Sequence, residues 1–183
     1  SLMLASGPAM AQTVIDSSAG MVAATVLAEG LEHPWALAIL PDGRFLVTER
    51  SGQLLVVKDG RSFAVDGVPN VVDRDQGGLL DVALAPDFES SGRIYLTFAE
   101  PAEDAGLQRG AGTAVMAARL VLEEGAGRLE DQNVIFRMNN FNNSTRHFGS
   151  RLAVAEDGTL FVTLGDRGDM DRAQDPQDLA GGG

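Results

Sequence analysis

Three segments of the chain repeat one pattern of apolar and polar positions. Each has a short apolar strand, a turn rich in Pro, Asp, Ser and Gly, and a second strand rich in Val, Leu, Phe, Tyr and Thr. The segments are WALAILPDGRFLVTERSGQLLVV (35–57), LLDVALAPDFESSGRIYLTFAE (79–100) and SRLAVAEDGTLFVTLGDRG (150–168). Asp-Gly pairs at 42–43 and 157–158 favour tight hairpin turns, because glycine tolerates a positive φ. The pattern therefore predicts three antiparallel hairpins.

Further strands extend two of these units. The apolar pattern predicts strands at 53–58 and 61–65 in the first unit, and at 113–122 and 128–136 in the second. No stretch shows a sustained apolar period of 3.6, so we expect no helix of more than two turns between residues 31 and 178. Repeated four-stranded antiparallel units predict a β-propeller. A β-sandwich with irregular loops is the alternative.

In a propeller, the first strand of each unit is innermost, which assigns residues 35–40, 79–85 and 150–154 to the central channel. Alternation along these strands predicts that six apolar side chains are buried between neighbouring sheets: Leu37, Ile39, Val82, Leu84, Leu152 and Val154. The loops that lead into the innermost strands are LEHP, DRDQGG and STRHFG. They would line the channel mouth, so candidate functional residues are sought there.

Composition and charge narrow the function classes. The 183 residues carry a formal net charge of −12 without a basic run, which argues against a nucleic-acid-binding surface. Cysteine is absent, so neither disulfides nor thiolate chemistry is expected. No apolar stretch approaches the roughly 18 residues that span a membrane.

The N-terminus indicates export. The first residues, SLMLASGPAMA, end in Ala-Met-Ala, a small-x-small pattern typical of the end of a signal peptide. We therefore interpret residues 1–11 as a signal-peptide remnant and expect a periplasmic or secreted protein. Residues 12–183 are interpreted as the N-terminal portion of a single β-propeller domain.

Three phrases in order carry a family resemblance. They are PWALAILPDGRFLVTER, DQGGLLDVALAPDF, and HFGSRLAVAEDGTLFVTLGDRGD followed by AQDP. From about Leu31 to Asp178, the chain resembles the soluble sugar dehydrogenases that depend on pyrroloquinoline quinone (PQQ), also described as glucose/sorbosone or aldose sugar dehydrogenases. The resemblance implies an all-β, six-bladed β-propeller, of which about two and a half blades are expected in this chain. It also implies PQQ and calcium as cofactors, an aldose oxidised at its C1 hydroxyl to a lactone, and an external electron acceptor.

The resemblance also implies roles for individual residues. His147 matches the general base, and Gln76 and Asp166 match residues that line the quinone and substrate pocket. Arg151 is a candidate partner of the cofactor carboxylates or of Asp166, and a buried structural ion pair is equally compatible with it. Arg146 stands where glucose-specific members place an acidic residue, which favours a broader aldose preference. The calcium ligands and the cations that grip the quinone are expected beyond this chain, so no metal-binding residue is assigned.

The candidate residues suit hydride transfer. A base must take the hydroxyl proton as the hydride leaves, and histidine has an ordinary pKa of about 6.5. A hairpin returns its second strand to the level at which the first began, so Asp166 is predicted to lie beside the loop of His147. His33 lacks this context and is assigned a structural role.

Two other functions remain open. A calcium-dependent, lactonase-like propeller would need Glu, Asn and Asp ligands from several innermost strands. A non-catalytic binding propeller would need no base at all. The acidic stretch DRGDMDRAQDPQD (166–178) lacks the spacing of an EF-hand and is interpreted as a solvated loop.

Overall fold

A computed structural model describes residues 12–103, 110–139 and 141–180, so the predicted signal-peptide remnant at 1–11 lies outside the described residues. The described chain begins with a hairpin of β1 (Gln12–Ser17) and β2 (Gly20–Thr25), in which every residue is exposed. The apolar pattern of the sequence did not predict this hairpin. Its signal is weak, since only a short Ser-Ser-Ala-Gly turn separates the two strands.

The rest of the described chain forms three antiparallel units. The first contains β3 (Pro34–Ile39), β4 (Phe45–Glu49), β5 (Gln53–Lys58) and β6 (Arg61–Asp66). The second contains β7 (Leu79–Leu84), β8 (Arg93–Pro101), β9 (Ala111–Glu123) and β10 (Ala126–Arg137). The third contains β11 (Gly149–Val154) and β12 (Leu160–Leu164). These strands confirm the predicted units and their innermost strands.

The first two units join through their outermost strands. Strands β6 and β10 pair in parallel at Val65–Gly127 and Asp66–Arg128, which gives the order β3-β4-β5-β6-β10-β9-β8-β7. The innermost strands β3 and β7 stand at the two ends of this order and also approach each other. The main core fills the space enclosed between the units, with Leu46, Leu54, Val56, Leu96, Phe98, Met116 and Leu120 among its buried residues.

Helix is short throughout the part of the chain that the structure describes. It consists of α1 (Phe88–Ser91) and a 3₁₀ helix (Met170–Gln174). The predicted absence of helices longer than two turns holds for these residues. No helix within the described ranges is long and apolar enough to cross a membrane.

The burial prediction is right for some apolar residues of the innermost strands and wrong for others. Leu37 and Ile39 are 58% and 64% exposed, respectively. Alternation turns their neighbours Ala36 and Ala38 towards the main core, so Leu37 and Ile39 lie on the opposite face of β3. No described strand packs on that face. The other four residues are buried or half-buried: Val82, Leu84, Leu152 and Val154.

A threonine recurs at the same place in the second strand of each unit. In all three hairpins the innermost strand has an irregular register, which takes one backbone N–H out of the ladder. The threonine Oγ1 accepts that N–H instead. The pairs are Ala36 to Thr48 (3.1 Å), Asp81 to Thr97 (2.8 Å) and Arg151 to Thr163 (3.0 Å).

Two of these hydroxyls also connect neighbouring units. Thr48 donates to the carbonyl of Leu80 at 2.6 Å, and Thr97 donates to the carbonyl of Ser150 at 2.9 Å. Both acceptors lie on the innermost strand of the following unit. The repeated Val-Thr and Leu-Thr pairs in the sequence therefore mark hydrogen bonds that set one unit against the next.

Replacement of Thr97 by valine, which has nearly the same shape, is expected to lower the free energy of unfolding by about 1–3 kcal/mol. The change leaves the buried Asp81 N–H and the buried Ser150 carbonyl without their partner. Chemical denaturation of the full-length protein measures the loss. Thr13→Val, in the exposed strand β1, is the matched control. Equal stabilities for the two variants would contradict the proposed link.

Candidate active site

A cleft of about 370 Å³ opens between the start of β3, the end of β4 and the loops that lead into β7 and β11. This volume lies within the range of small-molecule sites. Two of the three predicted loops, DRDQGG and STRHFG, therefore contribute to the cleft, whereas the loop LEHP supplies none of its lining residues. Eight residues line the cleft: Trp35, Arg50, Asp75, Gln76, Leu80, His147, Phe148 and Gly149.

The backbone at His147 has a conformation that the neighbouring loop holds in place. His147 has a φ of +54°, which is uncommon for a residue other than glycine. The side-chain Oε1 of Gln76 accepts the His147 N–H at 2.8 Å, and the Gln76 N–H donates to the Thr145 carbonyl at 3.0 Å. The Thr145 hydroxyl in turn donates to the carboxylate of Asp75 at 2.9 Å. Gln76 thus fixes the backbone of the histidine loop.

His147 and Asp166 form a hydrogen-bonded pair. The Nδ1 atom of His147 lies 2.7 Å from Oδ1 of Asp166, and the Gly168 N–H also donates to that oxygen at 2.8 Å. Half of the His147 side chain is exposed. Since an ionised carboxylate only accepts, Nδ1 is the donor and Nε2 of the neutral ring keeps a lone pair. This tautomer is the one that a general base requires.

The environment of Asp166 favours its charged form. The hydrogen bonds from the Gly168 N–H and from the His147 ring hold the pKa of Asp166 below its usual value. Asp166 therefore remains a carboxylate at neutral pH and orients the ring of His147.

The lowered pKa of Asp166 predicts a dependence of stability on pH. An unfolded aspartate titrates near pH 3.9, so the contribution of Asp166 is complete above about pH 5. It is lost as the pH falls below 3.9 towards the native pKa, because the unfolded state then binds more protons. Asp166→Asn is expected to flatten the curve of unfolding free energy against pH in this acid range. Denaturation of both proteins between about pH 3 and 6 checks this, and parallel curves would contradict it.

Arg151 pairs with Asp81 rather than with Asp166. Its Nη1 lies 3.0 Å from Oδ1 of Asp81, a carboxylate that is almost fully buried. Its guanidinium also stacks over the ring of Trp35, 4.9 Å from the ring centroid. Because Trp35 lines the cleft, Arg151 lies beside it, and 62% of its side chain is exposed. The structure thus brings Gln76, His147 and Asp166 together and leaves Arg151 at the side.

Several residues of this region were not predicted from the sequence. Arg50 and Phe148 line the cleft, and the buried Arg167 lies behind the histidine loop. Phe148 follows His147 directly and Arg167 follows Asp166, so sequence proximity was the available signal. Arg50 is the last residue of the phrase PWALAILPDGRFLVTER. Its position at the end of a predicted strand was the only sign in the sequence that it could line the site.

The chain is similar to proteins described as sugar dehydrogenases. The sequence model of the family described as Glucose / Sorbosone dehydrogenase matches residues 31–182. The aldose sugar dehydrogenase YliI of Escherichia coli is 41% identical over 159 residues, which are 85% of this chain and 41% of the relative. The quinoprotein glucose dehydrogenase B of Acinetobacter calcoaceticus is 31% identical over 151 residues, 78% of this chain and 30% of the relative.

Solved structures agree with these sequence matches. The soluble aldose sugar dehydrogenase of Escherichia coli in its apo form matches 85% of this chain and 44% of its own, with 42% identity and a TM-score of 0.77. The PQQ-bound aldose sugar dehydrogenase of Streptomyces coelicolor matches 94% of this chain and 47% of its own, with 27% identity and a TM-score of 0.73.

Two conclusions follow from these matches. The chain spans less than half the length of the relatives and structures that it matches. The predicted fold class, a six-bladed β-propeller of which this chain supplies part, is confirmed by the sheets and the structural matches. With a family match over residues 31–182, the chain belongs to the glucose/sorbosone dehydrogenase family.

Proposed function

We propose that the full-length protein oxidises the C1 hydroxyl of aldose sugars to give lactones, with PQQ as the hydride acceptor and His147 as the general base. The observation that carries this proposal is the 2.7 Å hydrogen bond between His147 and Asp166 at the cleft. It supplies an oriented base in a chain whose family consists of sugar dehydrogenases.

His147, Asp166 and Gln76 have different roles in proton removal. The Nε2 atom of His147 takes the proton of the sugar hydroxyl while the C1–H bond gives up a hydride and the C=O bond forms. The carboxylate of Asp166 stabilises the imidazolium that results. Gln76 holds the His147 backbone, so the ring is already oriented before the sugar binds. When bound, the quinone supplies the two-electron oxidant.

The described residues fit one side of a flat, anionic cofactor. Trp35 and Phe148 contribute aromatic surface to the cleft, and Arg50 contributes a cation. Arg151 adds an exposed guanidinium beside Trp35. PQQ carries three carboxylates, whose burial requires cationic or hydrogen-bonding partners. We propose that Arg50 and Arg151 supply part of that charge.

Calcium is proposed for the complete protein from the family resemblance alone. Within residues 12–103, 110–139 and 141–180, no three His, Asp or Glu side chains converge as metal ligands would. The described residues therefore show no carboxylate cluster that would hold the ion, and none of the roles given to His147, Gln76 and Asp166 depends on it.

The proposed substrate range is broad. Arg146 directly precedes His147 and is exposed, at the position where an acidic residue would favour one sugar through a charged acceptor. A cation at this position donates hydrogen bonds without requiring a particular arrangement of sugar hydroxyls. We propose that several aldoses are turned over at comparable rates.

Reconstitution of the full-length protein with PQQ tests the proposal. We expect dye reduction that requires PQQ and an aldose, with stoichiometric lactone formation. Parallel samples with calcium, with a chelator and without PQQ identify which cofactors are required. A lactonase would instead hydrolyse a lactone without PQQ, and a binding propeller would give neither reaction. Either result would contradict the proposed function.

We further propose that the protein is exported and passes its electrons to an acceptor outside the cytoplasm. This rests on the signal-like residues at 1–11. Fractionation of cells that produce the full-length protein is expected to recover it outside the cytoplasmic fraction. Recovery with a cytoplasmic marker enzyme would contradict export.

A further inference from the structure

We propose that Arg167 is a positioning residue, whose guanidinium holds Ser144, Arg146 and Phe148 on either side of His147 so that the His147 ring meets Asp166. The inference rests on the proposed function of His147. It concerns a residue that does not line the cleft and therefore acts only through the histidine loop.

Arg167 is buried behind the histidine loop and bonds to its backbone. Only 2% of the residue is exposed. Its Nη1 donates to the Arg146 carbonyl at 2.7 Å, and its Nη2 donates to the Ser144 carbonyl at 2.6 Å. A further bond from Nη2 reaches the Ala111 carbonyl at 3.3 Å, at the start of β9. One guanidinium therefore ties the loop to the second unit.

The same side chain also holds the residue that follows His147. The guanidinium of Arg167 lies 3.4 Å from the centroid of the Phe148 ring, which is itself buried. The backbone N–H of Arg167 donates to the His147 carbonyl at 3.3 Å. Since Arg167 follows Asp166 directly, the residue that fixes the base adjoins the residue that orients it.

The burial of the charged Arg167 side chain behind the loop is energetically unfavourable. None of the carboxylates in the described residues forms an ion pair with it, and its Nε has no hydrogen-bond partner there. Burial, with Arg172 and Arg74 nearby, lowers the pKa of Arg167 to about 10. The side chain therefore stays charged at neutral pH. A buried cation with neutral partners costs stability, which indicates that the arrangement is kept for the geometry it imposes.

The geometry requires arginine rather than any cation. The planar guanidinium offers a fork of donors to two loop carbonyls while its face stacks on Phe148. The ammonium of lysine is a compact point charge that cannot make these contacts together. Arg167→Lys thus keeps the positive charge but removes the combination of forked hydrogen bonds and stacking on Phe148. Arg167→Met removes both the charge and these contacts.

A double-mutant cycle in the full-length, PQQ-loaded protein tests the proposal. Arg167→Lys is expected to lower kcat per bound quinone about 10- to 100-fold, with a much smaller change in KM. In the His147→Ala background the same substitution should cost less than about threefold, because the base through which Arg167 acts is gone. Arg61→Lys, on the exposed strand end of β6, is the matched control. Equal losses in both backgrounds would overturn the proposal.

A second readout is independent of turnover. The Nδ1 proton of His147, held by Asp166, is expected to give a slowly exchanging NMR resonance that disappears or broadens in Arg167→Lys and persists in Arg61→Lys. If Arg167→Met does not fold, the lysine variant still decides the question. A retained resonance together with retained turnover would reject the positioning role. If His147→Ala is fully active, the proposed base is wrong, and the resonance still shows whether Arg167 positions the ring.

Discussion

Replacement of His147 with alanine in the PQQ-loaded, full-length protein is expected to lower turnover by about 100- to 10,000-fold, the usual contribution of a general base. The change removes the Nε2 lone pair that takes the sugar proton and leaves the Asp166 carboxylate without its partner at 2.7 Å. Steady-state rates with a saturating artificial acceptor measure the effect. The affinity for PQQ should change much less, because the base acts on the substrate proton.

The two histidines of the chain supply a matched control. His147 and His33 have nearly the same backbone conformation, with φ values of +54° and +51°. Asparagine tolerates this region well, so His147→Asn and His33→Asn carry a similar backbone cost. Only the first is expected to lose turnover, because His33 does not line the cleft. Unchanged turnover in His147→Asn would remove His147 from the mechanism.

Replacement of Gly165 with alanine is expected to reduce both stability and turnover. Gly165 packs so closely against the histidine loop that a Cβ would collide with the carbonyl of His147. The loop must move away, and the bond from the Gly165 N–H to the Phe148 carbonyl, 3.2 Å in the native protein, is strained with it. We expect a loss of about 2–4 kcal/mol in unfolding free energy. Displacement of His147 should lower turnover about 100-fold.

Gly158 in the turn of the same hairpin provides the comparison. A Cβ at Gly158 would meet no atom within 4 Å, although its φ of +86° makes alanine unfavourable by about 1 kcal/mol. Gly158→Ala should therefore lose some stability and keep its turnover. Denaturation curves and turnover rates of Gly165→Ala and Gly158→Ala test this difference. If both variants lose turnover equally, hairpin stability rather than the collision at His147 controls the site.

Local sequence patterns predicted the strands of the three units, because a hairpin depends on residues that are neighbours in the chain. Asp-Gly turns and alternating side chains suffice to define β3–β4 and β11–β12, and a hairpin with a known turn places its two ends side by side. The juxtaposition of Asp166 with His147 follows from this geometry. The role of His147 as a base came from the family phrases and stays a prediction.

Contacts between distant parts of the chain could not be predicted in the same way. The partner of Arg151 is Asp81, 70 residues away, and nothing in the local sequence distinguishes it from Asp166. Leu37 and Ile39 lie on one face of β3, as the alternation of side chains along the strand predicts. They are nevertheless exposed, because burial depends on which face of the strand the rest of the protein covers.

The amino-acid sequence by itself thus determined the strands and turns of the three units, the family and the proximity of Asp166 to His147, because hairpin geometry and motif order are local. The tertiary structure alone decided that Gln76 clamps the His147 backbone and that Arg167 lies buried behind it. Both contacts arise where separate units pack together, and packing selects partners by position in space rather than by separation along the chain.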